Sequence, residues 1–431
     1  MCAAKPKSTT GLLGWFRVRT GWTRHWGVEA LGAAMTQRKV LVVTFVDLVD
    51  GAGGPARAAV AVARRLHEEG RLVGIVSPSA DPEAVGLPRA LLYSPPHPLV
   101  HRVIQRILSF PSPLSDSTLR RLRETLFDFF LSRSGIMRRS DTVLFLKPAF
   151  PRSADRASKA GIQSWVWASI LHPRFNRDRI LEEREKWRVT GGQAYTDPRR
   201  ITALERFFSR VDHILVGSSL ARRSYLDHGI PEGSVSLLEQ TFAIDLRAFE
   251  PPMAPHEGEI FRVLHVSQMN LIKGIGYLLT AWSKLRLDSA ELVLVGSMEP
   301  GIIDLCERLA PPSTRVIGFT QNVARHYAEA DVFVSPSAAD LHPYTVLEAM
   351  ASGIPVIVSN QCGISAAVDH GRNGFVYPHD DCEALAGHIR WCQDNPIELR
   401  KMGLAAREKA RNFDQKNFAE NLIRAIDEAP G

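Results

Sequence analysis

Residues 330–359 read ADVFVSPSAADLHPYTVLEAMASGIPVIVS, and this stretch decides the fold. It begins with an apolar run, Val332–Val334, which predicts a short buried strand. A turn-rich loop follows, then a helix-like segment over Thr345–Ala351 and a second apolar run over Ile354–Val358. Strand, loop, helix and strand in this order predict a βαβ unit. Its loop lies at the carboxyl end of a parallel strand, where open sheets of this kind bind ligands.

The loop and helix hold groups that suit a ligand with both phosphate and hydroxyl groups. The loop runs directly into the helix, for which Thr345 is the expected N-cap, so the first N–H groups of the helix would face a phosphate. Glu348 follows about one turn later and can reach hydroxyl groups, and Asp340 lies eight positions before it on the loop. Because two carboxylates repel a free anion, a sugar nucleotide fits better than a simple phosphate.

This run resembles the donor-binding element of the retaining glycosyltransferases of family 4, which have the GT-B fold. The family pattern is Glu, seven residues, Glu, then Ala-Met-Ala-x-Gly-x-Pro-Val. Residues Glu348–Val356 match its second half, whereas Asp340 stands where the family has its first Glu. The resemblance covers about residues 38–425. It implies an α/β protein with two Rossmann-like parallel-sheet domains facing across a cleft, and a hexosyl transfer from a nucleotide diphosphate sugar with retained anomeric configuration.

The resemblance also implies roles for individual residues. Lys273 matches the lysine of a family element, Arg, four residues, Lys-Gly, in which both cations neutralise the donor diphosphate, but Gln268 replaces the arginine. A glutamine donates a hydrogen bond without bringing a charge, so the leaving group is expected to depend more on Lys273 and the helix N-terminus. Glu348 is expected to hold the ribose hydroxyls and Asp340 the donor sugar.

Further contacts follow from the same resemblance. The amides of His342, Tyr344 and Thr345 are expected to bind the diphosphate, and backbone groups near Phe319 the nucleobase. A histidine often follows the corresponding strand of the first domain, and His172 is the candidate here, with a loop histidine of no catalytic role as the alternative. No carboxylate is placed as a covalent nucleophile, so the resemblance implies front-face substitution, and it implies no metal and no cofactor beyond the sugar nucleotide.

A glycine-rich loop over residues 51–56 follows the first predicted strand, Arg38–Phe45, and precedes a helix predicted from Arg57 to about Glu69. It formally satisfies the dinucleotide pattern G-x-G-x-x-A, but five residues separate the strand from the first glycine, and the next strand ends without an acidic residue for a ribose. A nicotinamide cofactor is therefore set aside. The backbone at Gly53 and Gly54 is expected to approach the donor phosphates or the acceptor, with a tight turn of positive φ as the alternative.

Length and proline content indicate the domain division. A chain of 431 residues exceeds a typical single domain, and prolines at 251, 252 and 255 mark a linker. We predict four parts: a disordered extension over 1–35, an acceptor-side domain over 36–250, a donor domain over 251–410 and a C-terminal helix over 411–431 that crosses back to the first domain.

Charge and cysteine content limit the partners. With 53 Lys and Arg against 46 Asp and Glu the net charge is +7, and a basic helix-like segment over 97–140 suits either anionic lipid headgroups or a solvated helix face. No zinc-finger or RNP pattern is present, so nucleic acid is not an expected partner. The acceptor is expected to be a glycan, lipid-linked or growing polysaccharide, or a small molecule.

The expected location is the cytoplasm, with the inner face of the membrane as an option, because the five cysteines are scattered and no apolar run has transmembrane length. Two other functions remain open. Asp340 and Gln268 depart from the family pattern, which is compatible with a non-catalytic GT-B module that binds a nucleotide or glycan. A sugar-nucleotide epimerase would need further acids and bases in the cleft.

Overall fold

The computed structural model describes residues 37–50, 53–95, 116–147, 149–191, 193–238, 244–251, 260–287, 289–341, 343–413 and 415–429. From Arg38 onward the chain forms one compact unit, which is built on two parallel sheets. The predicted extension over 1–35, the first part of the basic segment over 97–140, and most of the proline-rich linker lie outside the described residues.

The first sheet is made of short apolar strands, most of them buried on both faces, as expected of parallel strands covered by helices. In the described chain it has seven strands: β1 Val40–Val43, β2 Leu72–Val76, β3 Leu92–Tyr93, β4 Thr142–Phe145, β5 Gln163–Trp167, β6 His213–Val216 and β7 Val235–Leu237. Their order is β3-β2-β1-β4-β5-β6-β7, and every pair is parallel. The strand order reverses between β1 and β4.

Helices cover this sheet, and together they form what we name the first domain. Their N-termini often hold proline, which lacks only a donor that the first helical turn does not use. Asp197 and Ser218 cap two of them by accepting hydrogen bonds from backbone N–H groups. The described helices are α1 Gly54–Glu68, α2 Pro82–Val85, α3 Asp116–Arg133, α4 Pro151–Lys159, α5 Pro173–Trp187, α6 Gln193–Thr196, α7 Pro198–Phe208 and α8 Ser219–Leu226.

The second sheet repeats this architecture, and with its helices it forms the second domain. Its described strands are β8 Phe261–Val266, β9 Ala290–Val295, β10 Thr314–Gly318, β11 Val332–Ser335, β12 Val356–Ser359 and β13 Gly374–Tyr377, in the parallel order β10-β9-β8-β11-β12-β13. The order reverses between β8 and β11. The described helices are α9 Ile275–Lys284, α10 Pro300–Leu309, α11 Val323–Ala328, α12 Tyr344–Ala351, α13 Cys382–Asp394 and α14 Pro396–Ala410.

A last helix, α15 Gln415–Glu428, packs on α1 of the first domain. Its apolar face, which includes Phe418, Leu422 and Ile426, is fully buried there. Beyond this face, the guanidinium of Arg71 lies 2.6 Å from the carboxylate of Asp427. The end of the chain therefore lies on the domain in which the described chain begins.

The predicted two-sheet parallel α/β architecture is confirmed. The predicted strands and helices differ from the observed ones mainly at their ends. The helix expected from Arg57 begins at Gly54, because Pro55 is accommodated in the first turn. Helix α5 likewise begins with a proline, Pro173, in its first turn. The strand expected from Ile354 begins at Val356, after Pro355, which has no N–H to donate to a neighbouring strand.

Candidate functional site

The loop between β11 and α12 lies at the carboxyl end of β11, beside the point where the second sheet reverses its strand order. The Asp340 N–H donates to the carbonyl of Gln361 at 3.1 Å, and the Asp340 carbonyl accepts from the Gly363 N–H at 2.7 Å. These two hydrogen bonds tie the loop to the segment after β12. The Asp340 carboxylate is therefore held on a fixed backbone at the crevice of the sheet.

Lys273 forms an ion pair with Asp340. Lys273 ends a short 3₁₀ turn after β8, and Gly274 follows it with a positive φ of 72°. A Cβ at Gly274 would lie 1.9 Å from the carbonyl oxygen of Pro336, so only glycine allows the turn to approach the Asp340 loop this closely. The Lys-Gly pair in the sequence thus places the lysine against the aspartate.

The charge of Lys273 is supported by this partner. Burial disfavours the ammonium, but the attraction of Asp340 and its hydrogen bond outweigh burial and raise the pKa of Lys273 above the ordinary lysine value. Lys273 therefore keeps a positive charge at neutral pH while largely removed from water. Because Asp340 already holds the Lys273 ammonium in place, an anionic ligand can bind to it without the side chain first becoming ordered.

Glu348 is buried on α12, and its carboxylate has two partners among the residues that the structure describes. The Tyr327 hydroxyl donates to its Oε2 at 3.0 Å, and Nη2 of Arg57, on α1 of the first domain, lies 3.6 Å from its Oε1. Burial raises the pKa of Glu348, although the Tyr327 hydrogen bond and Arg57 oppose this. Tyr327 and Arg57 thus position the Glu348 carboxylate from the two domains.

The start of α12 differs from the prediction. Pro343 is the N-cap and α12 begins at Tyr344, so Thr345 is not the cap but lies inside the first turn. The Val346 N–H donates to the Pro343 carbonyl at 3.0 Å, which fixes the N-cap two residues before Thr345. The amide of Thr345 still belongs to the first turn, where N–H groups lack intrahelical acceptors. His342 lies outside the described residues.

Gly53 and Gly54 lie at the N-terminus of α1, facing the second domain. Gly53 is the N-cap with an ordinary φ of −67°, and neither glycine has a positive φ, so the alternative of a left-handed turn is wrong at these two positions. A Cβ at Gly54 would instead lie 2.8 Å from the ring of Tyr344. Gly54 therefore allows close contact between the domains, with Tyr344 filling the space.

His172 is buried and caps α5. Its Nδ1 accepts a hydrogen bond from the Arg174 N–H at 3.4 Å, and its ring stacks on His228 with the ring centres 4.4 Å apart. Burial, reinforced by His228 and Arg174, lowers the pKa of His172 to about 3. The partners that the structure describes for His172 all lie in the first domain, and its catalytic role stays a prediction.

Comparison with known proteins identifies the second domain. Residues 260–395 match the family model described as Glycosyl transferases group 1. This segment belongs to that family. The match includes Lys273, Asp340 and Glu348, so the site described above lies wholly on the group 1 domain apart from Arg57 and the Gly53-Gly54 loop.

Two curated relatives illustrate the likeness. The amylovoran biosynthesis glycosyltransferase AmsK of Erwinia amylovora is 25% identical over 241 residues, which are 51% of this chain and 57% of AmsK. An uncharacterised glycosyltransferase of Methanocaldococcus jannaschii is 38% identical over 168 residues, which are 37% of this chain and 43% of that protein. The chain thus spans about half the length of the curated relatives it matches.

Solved structures show the fold. Anabaena HepE, crystallised with UDP and also with UDP-glucose, superposes with a TM-score of 0.64 for the UDP complex at 14% identity, covering 91% of this chain and all of HepE. The chain therefore has the GT-B fold, with two α/β domains that face each other across a cleft.

Two predicted donor contacts lie at the open edge of the group 1 domain. Gln268 is exposed on the loop after β8, and Phe319 is 77% exposed directly after β10. Each follows the carboxyl end of a strand, where ligands bind in open sheets. Their roles toward a diphosphate and a nucleobase stay predictions.

Sequence reasoning missed Arg57 and Tyr327, the two residues of the described chain whose side chains pair with the Glu348 carboxylate. Arg57 was assigned only to a helix, yet it lies one turn after the glycine loop, on the part of α1 that reaches the group 1 domain. The one-turn spacing between the glycine loop and Arg57 was the sequence signal that could have identified this residue. Tyr327 gave none, because its contact with Glu348 joins α11 to α12 through the tertiary packing.

Two general properties complete the description. Among the described residues, no group of three or more His, Cys, Asp or Glu side chains lies close enough to hold a metal ion. None of the helices in the described ranges combines the length and apolar character that a membrane crossing requires.

Proposed function

We propose that this chain transfers a hexosyl group from a nucleotide diphosphate sugar to a glycan, lipid-linked or small-molecule acceptor, with retention of the anomeric configuration. The observation that supports it most is the juxtaposition of the Lys273–Asp340 ion pair and the α12 N-terminus at the point where the second sheet reverses its strand order. A cation beside helix amides suits a diphosphate, and the adjacent carboxylates suit sugar hydroxyl groups.

In this proposal the donor displaces part of the Lys273–Asp340 pairing. Lys273 and the first-turn amides of α12 bind the diphosphate, and Asp340, released from part of its contact, accepts hydrogen bonds from the donor sugar. Glu348 accepts hydrogen bonds from the ribose hydroxyls while Tyr327 and Arg57 orient it. These groups stabilise the negative charge that grows on the leaving phosphate.

The proposed step is front-face substitution. The acceptor hydroxyl oxygen forms a bond to the anomeric carbon while the bond from that carbon to the phosphate oxygen breaks. The hydroxyl proton moves to the leaving phosphate, and the products are the glycosylated acceptor and a nucleoside diphosphate. The charge on the leaving group is met by Lys273 and helix amides, so we propose that no metal ion is required.

UDP is the first donor nucleotide to test, since HepE binds UDP and UDP-glucose in structures of the same fold. The name of AmsK supports a role in polysaccharide biosynthesis. We propose a cytoplasmic enzyme whose basic first domain reaches an acceptor at an anionic membrane surface.

The deciding experiment is turnover of sugar nucleotides by the full chain, with thermal unfolding in UDP, GDP and ADP beside it. A ligand at one hundred times its Kd raises the free energy of unfolding of the protein by about 2.7 kcal/mol. The proposal is supported if the protein hydrolyses one sugar nucleotide or transfers its sugar, and if Glu348→Ala abolishes that activity. Full turnover by Glu348→Ala contradicts it.

A non-catalytic binding module is the second candidate, favoured by Asp340 and Gln268, which depart from the family pattern. It predicts stabilisation by a nucleotide without turnover of any sugar nucleotide. Restoring the family residues in Asp340→Glu and Gln268→Arg distinguishes the two candidates. A non-catalytic module gains activity only in these variants, whereas an enzyme is active as it stands.

A further inference from the structure

We propose that a basic cavity on the first domain binds a ligand that carries two or more phosphate groups. The cavity, which we name the α4 cavity, has a volume of about 490 Å³ and is bordered by the C-terminal end of α3, the turn Ile136–Arg139 and helix α4. It shares no residue with the donor site and lies outside residues 260–395, which match the family model. Binding at this cavity therefore does not depend on the proposed function.

The α4 cavity is lined by more cations than carboxylates. Five of its described lining side chains are positively charged and one, Asp155, is negatively charged. The five cations, which are all exposed, are Arg133, Arg138, Arg152, Arg156 and Lys159. The last three belong to α4, where their spacing of four and three residues places them on one face of the helix. Helix α4 thus presents a row of cations to the cavity.

Phe129 brings two of these arginines together. Cζ of Arg133 lies 4.0 Å from the centre of the Phe129 ring, and Cζ of Arg152 lies 5.6 Å from the same centre. Cation–π attraction holds both guanidiniums near the half-buried ring without an anionic partner. In the part of the chain that the structure describes, none of the five cations forms an ion pair. Their charges are therefore available to a ligand.

Two carboxylates near these cations have other partners. Asp155 lies 3.2 Å from Nε of Arg210 and also pairs with Arg206, and neither arginine lines the cavity. Asp128 accepts a hydrogen bond at 2.8 Å from the backbone N–H of Arg152, in the first turn of α4. Neither of these two described carboxylates forms an ion pair with a lining cation. The excess of positive charge in the cavity is therefore not neutralised by them.

The charge balance favours phosphate groups. Five cations against one carboxylate leave an excess of four positive charges in the described lining. A phosphate monoester carries roughly two negative charges at neutral pH, so two phosphate groups match this excess, whereas a carboxylate carries one charge. Guanidiniums also bind phosphate oxygens through paired N–H donors. A soluble diphosphate and the neighbouring headgroups of an anionic lipid surface supply the same chemistry.

The α4 cavity is separate from the edge of the sheets where the donor is proposed to bind. Its lining includes Met137 and Arg138, which precede β4, and Ile162, which precedes β5. The cavity therefore reaches the edge at which these strands begin, whereas open parallel sheets bind ligands at the carboxyl ends of their strands. We expect a ligand in the α4 cavity and a sugar nucleotide in the donor site to bind independently.

The first test is calorimetric titration of the full chain with pyrophosphate at low ionic strength, where exposed charges are least screened. The unaltered protein is expected to bind pyrophosphate. Arg133→Gln/Arg152→Gln is expected to bind it about tenfold more weakly, because charge-assisted contacts are lost. The matched control is Arg223→Gln, which removes an exposed arginine of α8 that does not line the cavity. Its affinity should equal that of the unaltered protein.

Two further variants change the charge of the cavity in opposite directions. Arg156→Gln/Lys159→Met removes two other lining cations and is expected to weaken pyrophosphate binding by about fivefold. Asp155→Asn removes the lining carboxylate and is expected to strengthen binding by about two- to threefold, because a repulsive charge is lost. A purely structural role of these side chains would not produce changes of opposite sign.

Vesicles distinguish a soluble ligand from a lipid surface. The full chain is mixed with vesicles of equal parts phosphatidylglycerol and phosphatidylcholine, and with vesicles of phosphatidylcholine alone, and bound protein is measured by flotation. Binding to the mixed vesicles that Arg133→Gln/Arg152→Gln loses, and that pyrophosphate displaces, assigns lipid headgroups as the ligand. Pyrophosphate binding without vesicle binding assigns a soluble ligand. Both results support phosphate binding in the α4 cavity.

Three outcomes overturn the proposal. The unaltered protein binds neither pyrophosphate nor the mixed vesicles, or Arg133→Gln/Arg152→Gln binds both as tightly as the unaltered protein does. The third outcome is that citrate binds more tightly than pyrophosphate, which would assign a ligand with carboxylate groups.

Failure of this proposal is distinguishable from failure of the proposed function. Arg133→Gln/Arg152→Gln is expected to turn over a sugar nucleotide as the unaltered protein does. Lys273→Met is expected to lose turnover and keep pyrophosphate binding in the α4 cavity. If Lys273→Met abolishes pyrophosphate binding, the pyrophosphate lies in the donor site and only the α4 cavity is overturned. If the unaltered protein shows no turnover while Arg133→Gln/Arg152→Gln still weakens pyrophosphate binding, only the proposed function is overturned.

Discussion

Arg57 of the first domain lies 3.6 Å from the carboxylate of Glu348 in the second domain, 291 positions further along the chain. The carboxylate that is proposed to hold the donor ribose is thus already in contact with the opposite domain. Any donor that binds Glu348 must fit beside Arg57. The relative position of the two domains and the ionisation of Glu348 are therefore coupled.

Replacing Arg57 by Met is expected to shift the pH dependence of donor binding. Burial raises the pKa of Glu348 and Arg57 opposes this, so removing the cation raises the pKa further. Hydrogen bonds from ribose need the ionised carboxylate, and the acidic limb of UDP affinity should move to higher pH. Titration calorimetry between pH 4 and 8 measures it. An unshifted limb would mean that Arg57 does not influence Glu348.

Replacing Glu348 by Gln is expected to reduce kcat/KM for the sugar nucleotide by about 10- to 100-fold, the usual cost of losing a hydrogen bond to a charged group. The matched control is Glu383→Gln on α13, because that carboxylate is exposed and pairs only at the surface, with Lys284, among its described contacts. Steady-state kinetics on both variants gives the comparison. Similar losses in both would deny Glu348 a specific role.

Replacing Lys273 by Met is expected to lower kcat by about 10²- to 10³-fold, as when one preorganised charge-stabilising group is lost. It also leaves Asp340 without its cation, so unfolding must be measured alongside turnover. Lys273→Arg, which keeps the charge, separates the two effects. Recovery of stability together with part of kcat in that variant is the expected result; recovery of stability alone would restrict Lys273 to a structural role.

Replacing Gly54 by Ala is expected to destabilise the protein by about 1–3 kcal/mol, because the new methyl group meets the Tyr344 ring across the domain contact. The control is Gly387→Ala within α13, where a Cβ meets no atom within 4 Å. Alanine there should stabilise the helix by about 0.5–1 kcal/mol. Urea unfolding of both variants measures the opposite signs, and equal signs would contradict the packing assigned to Gly54.

Stability is expected to fall as the pH decreases from about 6.5. The pKa of His172 is about 3 in the folded protein and near 6.5 in the unfolded chain, so the unfolded state binds the proton more readily over this window. Between pH 6.5 and 5 this lowers the free energy of unfolding by roughly 1–2 kcal/mol.

His172→Asn tests the assignment, because asparagine can also cap a helix but does not titrate. The variant should lose part of the pH dependence of urea unfolding and keep the rest, since the buried His265 has a pKa lowered to about 4 by burial and titrates in the same sense. An unchanged slope would show that folding does not lower the pKa of His172.

Much of the fold could be predicted from short local patterns in the sequence. Apolar runs such as Val332–Val334 become buried strands wherever they occur, and the helices between them make the sheets parallel. The family element around Glu348 and the Lys-Gly pair at Lys273 were likewise visible, because short-range spacing sets their position on a helix or turn. Helix starts were less well predicted, since proline can be accommodated in a first turn.

The sequence by itself thus determined two parallel α/β domains and the residues that form the donor-side motif. Only the tertiary structure decided which distant residues meet: Arg57 with Glu348, and Gly54 with Tyr344. The physical reason is that local patterns fix backbone conformation over a few residues. Contacts between distant segments depend on strand order and on how the two domains pack, which no single stretch of sequence encodes.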